Sequence, residues 1–261
     1  MPEGDTLHRV ATRLRPALAG HTLVRFEAPL LRGPRPAPGD TIDEVEAQGK
    51  HLLVHFGGGL SLRTHLRMSG SWHLYRPGER WRRPRGQLRV AIEADSGWEA
   101  VCFAAPDVEV YRRRGAPPGA VARLGPDLCR PGAPVPEAVE RLAALVPPET
   151  EVGVALLDQR VAAGIGNVYK SEVCFACGVD PFTPVGDVDG PLRERLYATA
   201  HRLLRANLDG GPRRTRADGL AVYGRAGRAC PRCGTAVAVG RQGEHARVTY
   251  WCPGCQRRPG R

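Results

Sequence analysis

The amino-acid sequence predicts an α+β protein of two domains, a β-sandwich preceded by a helix and then a helical domain with a small metal-binding module. Three observations support this prediction. An amphipathic helical pattern opens the chain, short strand-like segments follow it to about residue 111, and helical segments then lead to two Cys-x-x-Cys pairs. A chain of 261 residues exceeds one average domain and can bury a substantial core.

The first half of the chain combines one helix with short strands. Apolar residues recur at helical spacing near the amino terminus, at Leu7, Val10, Ala11, Leu14 and Leu18. Gly20 follows them as a stop signal. From about residue 21 to 111 the pattern changes to short strand-like runs, at residues 52–56, 60–66 and 88–93. The first two runs are joined by three glycines, which indicate a hairpin, and strands at this spacing predict a β-sandwich.

The second half of the chain has a different pattern. Residues 116–135 are rich in Pro and Gly, which is typical of an interdomain linker. Helical patterns follow, at residues 136–145, 152–159, 168–177 and 191–208. Residues 213–227 are polar and rich in Arg, and we expect this segment to be mobile.

The charge of the chain indicates a polyanionic partner. The formal net charge is +11, and residues 212–261 contain eleven Arg against two acidic residues, a net of +9. Such a basic segment beside a metal-binding pattern favours nucleic acid over a merely solvated surface. No apolar stretch is long enough to cross a bilayer, and the first residues lack the apolar core of a secretory signal. We therefore expect a cytoplasmic protein without membrane contact.

Lysine is almost absent from this basic chain. Only Lys50 and Lys170 occur, and the other 36 of the 38 basic residues are Arg. A compact ammonium group provides a point charge that a guanidinium does not reproduce. Each lysine is therefore a candidate for a specific role, although a surface lysine without a role is the simpler alternative.

Four cysteines near the carboxyl end have the spacing of a zinc site. They form the pattern C-x2-C-x18-C-x2-C, at Cys230, Cys233, Cys252 and Cys255. Each pair folds into a tight turn that directs two sulfurs at one tetrahedral ion. We predict one structural Zn²⁺, which supplies most of the folding energy of a module too small for its own core.

The residues between the two zinc-binding pairs predict a β-hairpin within residues 235–251. Arg241 and Arg247 on this hairpin would present rigid guanidinium groups to phosphates or to a groove. A third pair, Cys174 and Cys177, lies in an apolar helical pattern with no second pair left to complete a site. We interpret this third pair as buried thiols.

The amino terminus offers a reactive group of its own. Removal of Met1 is expected when Pro follows, and it leaves Pro2 as a secondary amine, a group with a pKa near ~8. Attack of such an amine on an aldehyde-like carbon gives a cationic iminium, the electron sink that Schiff-base enzymes use. Glu3 adjoins it and can move protons. Taken alone, however, these two residues fit the ordinary opening of a helix better.

Several short motifs together identify a family. In chain order they are Pro2-Glu3-Gly4, Gly49-Lys50, His65-Leu66-Arg67-Met68-Ser69-Gly70, Leu156-Leu157-Asp158-Gln159, Gly164-Ile165-Gly166-Asn167 and Tyr223-Gly224-Arg225. Their joint occurrence is specific, and the match extends over essentially the whole chain. The sequence resembles the formamidopyrimidine-DNA glycosylase and endonuclease VIII family.

This resemblance implies a bifunctional DNA glycosylase and AP lyase of base excision repair, bound to double-stranded DNA that contains damaged bases or abasic sites. The implied domains are a catalytic β-sandwich at residues 1–115, a linker at 116–135, a helix-two-turns-helix domain at 136–225 and a zinc finger at 226–261. We expect a monomer in the bacterial cytoplasm, associated with the nucleoid.

The resemblance also implies the catalytic residues. Pro2 would attack C1′ of the damaged nucleotide, expel the base and form a covalent iminium. Glu3 would act as a general acid toward the sugar ring oxygen and then assist proton transfers. Lys50, on a loop of the sandwich, would contact phosphate or sugar. Successive β- and δ-eliminations would then cut the strand on both sides of the sugar.

Three further residues would contact DNA according to the same resemblance. Asn167, at a helix start, would offer its amide and neighbouring backbone N–H groups to a phosphate. Arg247 would help to pinch the backbone around an extruded nucleotide. Met68 is placed where family members insert an apolar wedge. A buried core methionine is an open alternative for Met68.

Two departures from the family pattern bear on the substrate. Many members have Glu as the sixth residue, where this chain has Asp5-Thr6, and which of these two takes a supporting role is open. The Arg-Arg-Phe loop of the oxidised-purine branch is absent, since residues 104–110 read AAPDVEV. We therefore expect the endonuclease VIII branch, acting on oxidised pyrimidines and abasic sites. The alternatives are an enzyme for 8-oxoguanine and formamidopyrimidine, or a non-catalytic protein that binds damaged DNA.

Overall fold

The computed structural model describes residues 2–113 and 119–257 of the chain. Met1, part of the predicted linker and residues 258–261 of the predicted zinc finger lie outside these ranges. The chain divides into two compact units, the first formed by residues 1–2 and Thr6–Ala122 and the second by Glu3–Asp5 and Arg123–Arg261. Within the described ranges, no helix combines the length and the apolar character needed to span a membrane.

The first unit is a β-sandwich with a helix at its start. Its elements are α1 (Gly4–Leu18), β1 (Leu23–Glu27), β2 (Ile42–Gln48), β3 (His51–Phe56), β4 (Leu60–His65), β5 (Ser71–Tyr75), β6 (Leu88–Ala94), β7 (Trp98–Phe103), β8 (Asp107–Arg112) and α2 (Gly119–Ala122). The strands form two antiparallel four-stranded sheets, with the orders β1-β6-β7-β5 and β2-β3-β4-β8. This arrangement confirms the predicted sandwich and its preceding helix.

The core of the first unit follows from the sequence pattern. The apolar face of α1 contributes Leu7, Leu14 and Leu18, which are almost completely buried together with apolar residues of both sheets. The predicted hairpin at residues 57–59 joins β3 to β4, where Gly59 has a φ of 76° that favours glycine. The sheets therefore bury one apolar layer between them, as a sandwich requires.

The second unit is helical and ends in a β-hairpin. Its elements are α3 (Val135–Leu145), α4 (Val152–Ala155), α5 (Asn167–Cys177), α6 (Gly190–Arg205), β9 (Ala238–Gln242) and β10 (Arg247–Trp251). Helix α6 begins where the Asp189 carboxylate accepts the N–H of Leu192 at 2.8 Å, and α5 ends at Gly178 with a φ of 73°. The helices share a second apolar core that includes Leu142, Tyr169 and Leu204.

One predicted helix is shorter than expected. The pattern predicted helix over residues 152–159, but only Val152–Ala155 is helical. The Asp158 carboxylate accepts the N–H of Arg160 at 2.9 Å, and the Gln159 amide donates to the carbonyl of Ile165 at 3.1 Å. Such local bonds from polar side chains compete with helical hydrogen bonds and turn the chain at this point.

The second half of the predicted linker at residues 116–135 is packed against the helical unit and is not an exposed connection. Leu128 and Cys129 are buried in the core of the helical unit. The backbone here pairs with the turn before α5, since Leu128 donates its N–H to the Ala163 carbonyl at 3.1 Å. The Pro and Gly residues of this segment therefore accompany a bent and packed chain, whereas the sequence pattern predicted a linker.

The segment at residues 213–227 is ordered, contrary to the predicted mobility. The buried Glu172 carboxylate of α5 accepts backbone N–H groups of Ala221 at 2.8 Å, Val222 at 2.9 Å and Tyr223 at 2.8 Å. The Thr215 hydroxyl donates to the same carboxylate. The buried Glu172 side chain thus organises much of the segment, which its polar composition did not reveal.

Candidate active site and metal centre

The Glu3 carboxylate binds the first turn of helix α5. Glu3 is completely buried, and its carboxylate accepts the backbone N–H groups of Gly166 at 2.9 Å, Val168 at 2.8 Å and Tyr169 at 3.4 Å. These donors and the positive end of the helix dipole both stabilise the ionised carboxylate. Glu3 is therefore a buried anion directly beside Pro2 in the chain.

The glycines of the Gly164-Ile165-Gly166 motif make this contact possible. The N–H of Gly4 donates to the Gly164 carbonyl at 2.9 Å, and Gly164 has a φ of 108°. A Cβ atom on Gly166 would lie 2.3 Å from Cδ of Glu3. Only a residue without a side chain allows the carboxylate to approach the helix start this closely.

The variant Gly166→Ala is expected to lower the free energy of unfolding by about 1–3 kcal/mol, because the added methyl group overlaps the Glu3 carboxylate. Gly190→Ala is the matched control, since Gly190 also lies at a helix start but a Cβ atom added there would have no neighbour within 4 Å. Urea unfolding of both variants provides the measurement. Equal stability of the two variants would contradict the close contact.

Helix α5 also holds the hairpin that carries Arg247. The Asn167 amide donates to the Val248 carbonyl at 2.7 Å, and the Lys170 ammonium donates to the Thr249 hydroxyl at 2.6 Å. Lys170 is completely buried, and burial lowers the pKa of its ammonium group to about 8. Arg247 precedes these contacts in β10 and is exposed. The second unit thus brings Asn167 and Arg247 together.

The contacts at the start of α5 change one expectation for Asn167. Its neighbours Val168 and Tyr169 donate their backbone N–H groups to Glu3, so these groups are not available to a phosphate. The side-chain oxygen of Asn167 is buried and has no hydrogen-bond partner among the described residues. A buried amide oxygen of this kind calls for a donor, which a ligand or water can supply.

Lys50 lies in the turn between β2 and β3, beside two histidines that contact each other. The rings of His51 and His65 lie on paired positions of β3 and β4, with their centroids 5.0 Å apart and their planes tilted by 55°. Burial, followed by the charges of neighbours that include Arg63, lowers the pKa of His51 to about 3. Burial and then the charge of Arg67 lower the pKa of His65 to about 4. Both imidazoles are therefore neutral near pH 7, and the cations around them carry the positive charge.

Met68 is exposed on the first unit. It lies in the turn between β4 and β5, and 69 % of its surface is exposed to solvent. Its neighbour Arg67 has a φ of 48° and donates from its guanidinium to Asp107 at 2.9 Å. The core alternative for Met68 is therefore excluded, and the side chain is free to contact a partner.

The four predicted zinc ligands form one cluster. Their sulfurs all lie within 4.8 Å of one another. The Sγ atoms of Cys230 and Cys255 are 3.8 Å apart, and those of Cys233 and Cys252 are 3.5 Å apart. A tetrahedral zinc ion with Zn–S bonds of about 2.3 Å places its sulfurs about 3.8 Å apart. The cluster therefore fits the ion that the spacing predicted, whereas the described residues near Cys174 and Cys177 form no such group.

The predicted site residues are divided between the two units. Glu3, Asn167 and Arg247 belong to the second unit with the four cysteines, whereas Lys50 and Met68 belong to the first. Pro2, which is half-buried, is the residue at which the chain passes from one unit to the other. Sequence reasoning missed two residues of the second unit that contact the Glu3-Gly4-Asp5 run, Tyr169 and Arg213, because they lie more than 160 residues away in the chain.

Comparison with known proteins covers almost the whole chain. Residues 1–114 match the model of the formamidopyrimidine-DNA glycosylase N-terminal domain, and residues 124–217 match that of the formamidopyrimidine-DNA glycosylase H2TH domain. A Streptomyces coelicolor protein named probable endonuclease 8 2 is 46% identical over 269 residues, which is 99% of this chain and 95% of that protein. A Mycolicibacterium smegmatis protein named DNA-(apurinic or apyrimidinic site) lyase Nei2 is 42% identical, over 98% of this chain and 99% of its own.

A solved structure supports the fold. The complex between the Lactococcus lactis Fpg and an abasic site containing DNA superimposes with a TM-score of 0.81 at 21% identity, covering 98% of this chain and 99% of that one. The matches confirm the resemblance that the short motifs indicated, and the names of the relatives agree with the endonuclease VIII branch. The chain belongs to the formamidopyrimidine-DNA glycosylase family.

Proposed function

We propose that this protein is a bifunctional DNA glycosylase and AP lyase that uses Pro2 as its nucleophile. The observation that carries the proposal is the buried Glu3 carboxylate, which three backbone N–H groups hold in place directly after Pro2. A surface that only binds phosphate has no use for a buried anion at this position. Membership of the family and the names of the relatives support the same conclusion.

The chemistry begins when the Pro2 nitrogen forms a bond to C1′ and the bond from C1′ to the base breaks. The base leaves with a proton, and opening of the sugar ring gives an iminium, with Glu3 moving the proton at the ring oxygen. Loss of a C2′ proton then expels the 3′ phosphate and forms a C2′–C3′ double bond, and loss of the C4′ proton in a second elimination expels the 5′ phosphate. Hydrolysis of the remaining iminium frees Pro2.

Other residues hold the DNA in this proposal. Lys50 contacts phosphate or sugar, the Asn167 side chain and Arg247 contact the backbone around the lesion, and Met68 fills the space left by an extruded nucleotide. A zinc ion bound by the four thiolates would serve as a structural cross-link that keeps the hairpin folded. Extrusion costs a few kcal/mol and costs least for a damaged base, so it also contributes selectivity.

Oxidised pyrimidines and abasic sites are the proposed substrates. The turn between β7 and β8 consists of residues 104–106, and residues 104–110 contain none of the Arg-Arg-Phe residues of the oxidised-purine branch. The relatives named endonuclease 8 support the same branch.

Reductive trapping tests the nucleophile. With DNA that contains one abasic site and borohydride, the protein should form a covalent adduct, because reduction converts the iminium to a stable amine. Pro2→Gly, and a protein whose amino terminus is acetylated, should lose the adduct while retaining zinc. Tight DNA binding without an adduct would favour the non-catalytic alternative, and an adduct on a protein that retains Met1 would refute the assigned nucleophile.

A panel of duplexes that each carry one lesion tests the substrate class. We expect single-turnover base release from oxidised pyrimidines to exceed release from 8-oxoguanine by at least about tenfold, which corresponds to about 1.4 kcal/mol of transition-state binding. Undamaged duplexes of the same sequence are the control. Faster release of 8-oxoguanine would assign the protein to the other substrate class.

A further inference from the structure

Arg213 joins the segment at residues 213–227 to the start of the chain. Its guanidinium donates two hydrogen bonds to the Asp5 carboxylate, at 2.6 and 2.8 Å. Asp5 is completely buried, and only 13 % of the Arg213 side chain is exposed. Removing one partner of such a buried pair leaves an uncompensated charge, so the two side chains hold each other in place.

Tyr169 connects this ion pair to Glu3. Its hydroxyl donates to the Asp5 carboxylate at 2.9 Å, and its backbone N–H donates to the Glu3 carboxylate at 3.4 Å. The guanidinium of Arg213 lies 5.1 Å from the centre of the Tyr169 ring. One residue of α5 therefore contacts both acidic side chains of the Glu3-Gly4-Asp5 run, and Arg213 covers it.

We propose that Arg213 is a positioning residue for the reaction, which acts through Asp5 to hold the Glu3-Gly4-Asp5 backbone and therefore the attached Pro2. This inference rests on the proposed function. It assigns the supporting role in the opening motif to Asp5, and it gives residues 213–227 a function other than DNA contact. The two hydrogen bonds need the planar fork of Arg, which a lysine ammonium does not reproduce.

The geometry separates this role from phosphate binding. The Arg213 side chain is mostly buried, and its Nε and one terminal nitrogen donate to Asp5, so the guanidinium adds little to an exposed cationic surface. Burial acts to lower the pKa of Arg213, but the hydrogen bonds to Asp5 and the charges of Glu3 and Asp5 raise it above its ordinary value.

The test compares Arg213→Met, Arg213→Lys and Asp5→Asn in the zinc-containing full chain. With saturating abasic-site DNA and borohydride, the rate of adduct formation should fall about 10- to 100-fold in each variant, since small displacements of a nucleophile have effects of this size. The dissociation constant for the same DNA, and its dependence on salt, should stay within about twofold of the wild-type values. The double variant Asp5→Asn/Arg213→Met should form the adduct no more slowly than the slower of the two single variants, because the two residues act as one unit.

Arg216→Met is the matched control. Arg216 lies three residues further on, and its ion pair with Asp218 at 2.7 Å is on the surface, with the Asp218 side chain 66 % exposed. This control removes the same charge from the same segment and should leave the rate unchanged. Circular dichroism melting curves report whether each variant is folded, and rates are compared only for folded protein.

The possible results distinguish a failure of the proposed function from a failure of the positioning role of Arg213. No adduct with the wild-type protein would refute the proposed function itself. An adduct at the wild-type rate with Arg213→Met, accompanied by a lower melting temperature alone, would show a purely structural ion pair and overturn the positioning role. Weaker DNA binding with a smaller salt dependence, at an unchanged saturated rate, would make Arg213 a phosphate contact and overturn it as well.

Discussion

Glu3→Gln is expected to slow base release by about 10²- to 10⁴-fold, the contribution typical of a positioned group that transfers a proton. Gln has the same size as Glu but neither gives up nor accepts a proton at this point. The NH₂ group of Gln also replaces one carboxylate oxygen, so one of the backbone N–H groups at the start of α5 loses its acceptor. The free energy of unfolding should therefore fall by about 1–3 kcal/mol as well. Single-turnover base release and DNA affinity, measured on the same duplex, separate the two effects.

Glu172→Gln is the control for the loss of stability. Glu172 is a second buried carboxylate that accepts three backbone N–H groups, in this case from residues 221–223. Its replacement should reduce stability by a similar amount but slow base release by the folded protein far less than Glu3→Gln does, because Glu172 is connected to Pro2 only indirectly, through residues 213–227. If Glu3→Gln reduces DNA affinity as much as it reduces base release, Glu3 is a structural residue only.

Elements with a clear period were predictable from the sequence because the spacing of their apolar residues shows which face is buried. The leucines of α1 and the glycine-joined strands β3 and β4 have the expected structure. Residues 152–159 carried the same apolar signal but turn after Ala155, since Asp158 and Gln159 bind the backbone. Propensity alone does not show which of these local bonds forms.

The candidate site was predictable where its residues form a short motif. Glu3 and the four cysteines have recognisable neighbours in the sequence, and the structure places the cysteine sulfurs as their spacing predicts. Arg213 and its partner Asp5 are 208 residues apart, so no local pattern connects them. The expected mobility of residues 213–227 was wrong for the same reason, because the acceptor that orders them is Glu172 of α5.

Replacing Cys252 with Ser is expected to release the zinc ion and unfold the hairpin. Among the described residues, the apolar cluster beneath the site contains six buried residues, two of which are the ligands Cys230 and Cys252. A cluster of this size cannot replace the metal, whose binding contributes about 10–16 kcal/mol in small zinc modules. Arg247 then loses its fixed position beside Asn167, because the Val248 and Thr249 contacts depend on a folded hairpin.

The affinity of the Cys252→Ser variant for DNA should fall by the same factor for every sequence and lesion, since phosphate contacts carry no sequence information. The slope of log K against log salt should decrease by about 0.9 for each phosphate contact that is lost. Cys177→Ser is the matched control, because this half-buried thiol of α5 contacts the Arg195 carbonyl and the Thr199 hydroxyl and lies outside the sulfur cluster. Zinc content by atomic absorption and binding titrations at several salt concentrations provide the measurements. Loss of zinc with unchanged affinity and slope would remove the hairpin from the DNA interface, and Arg247 with it.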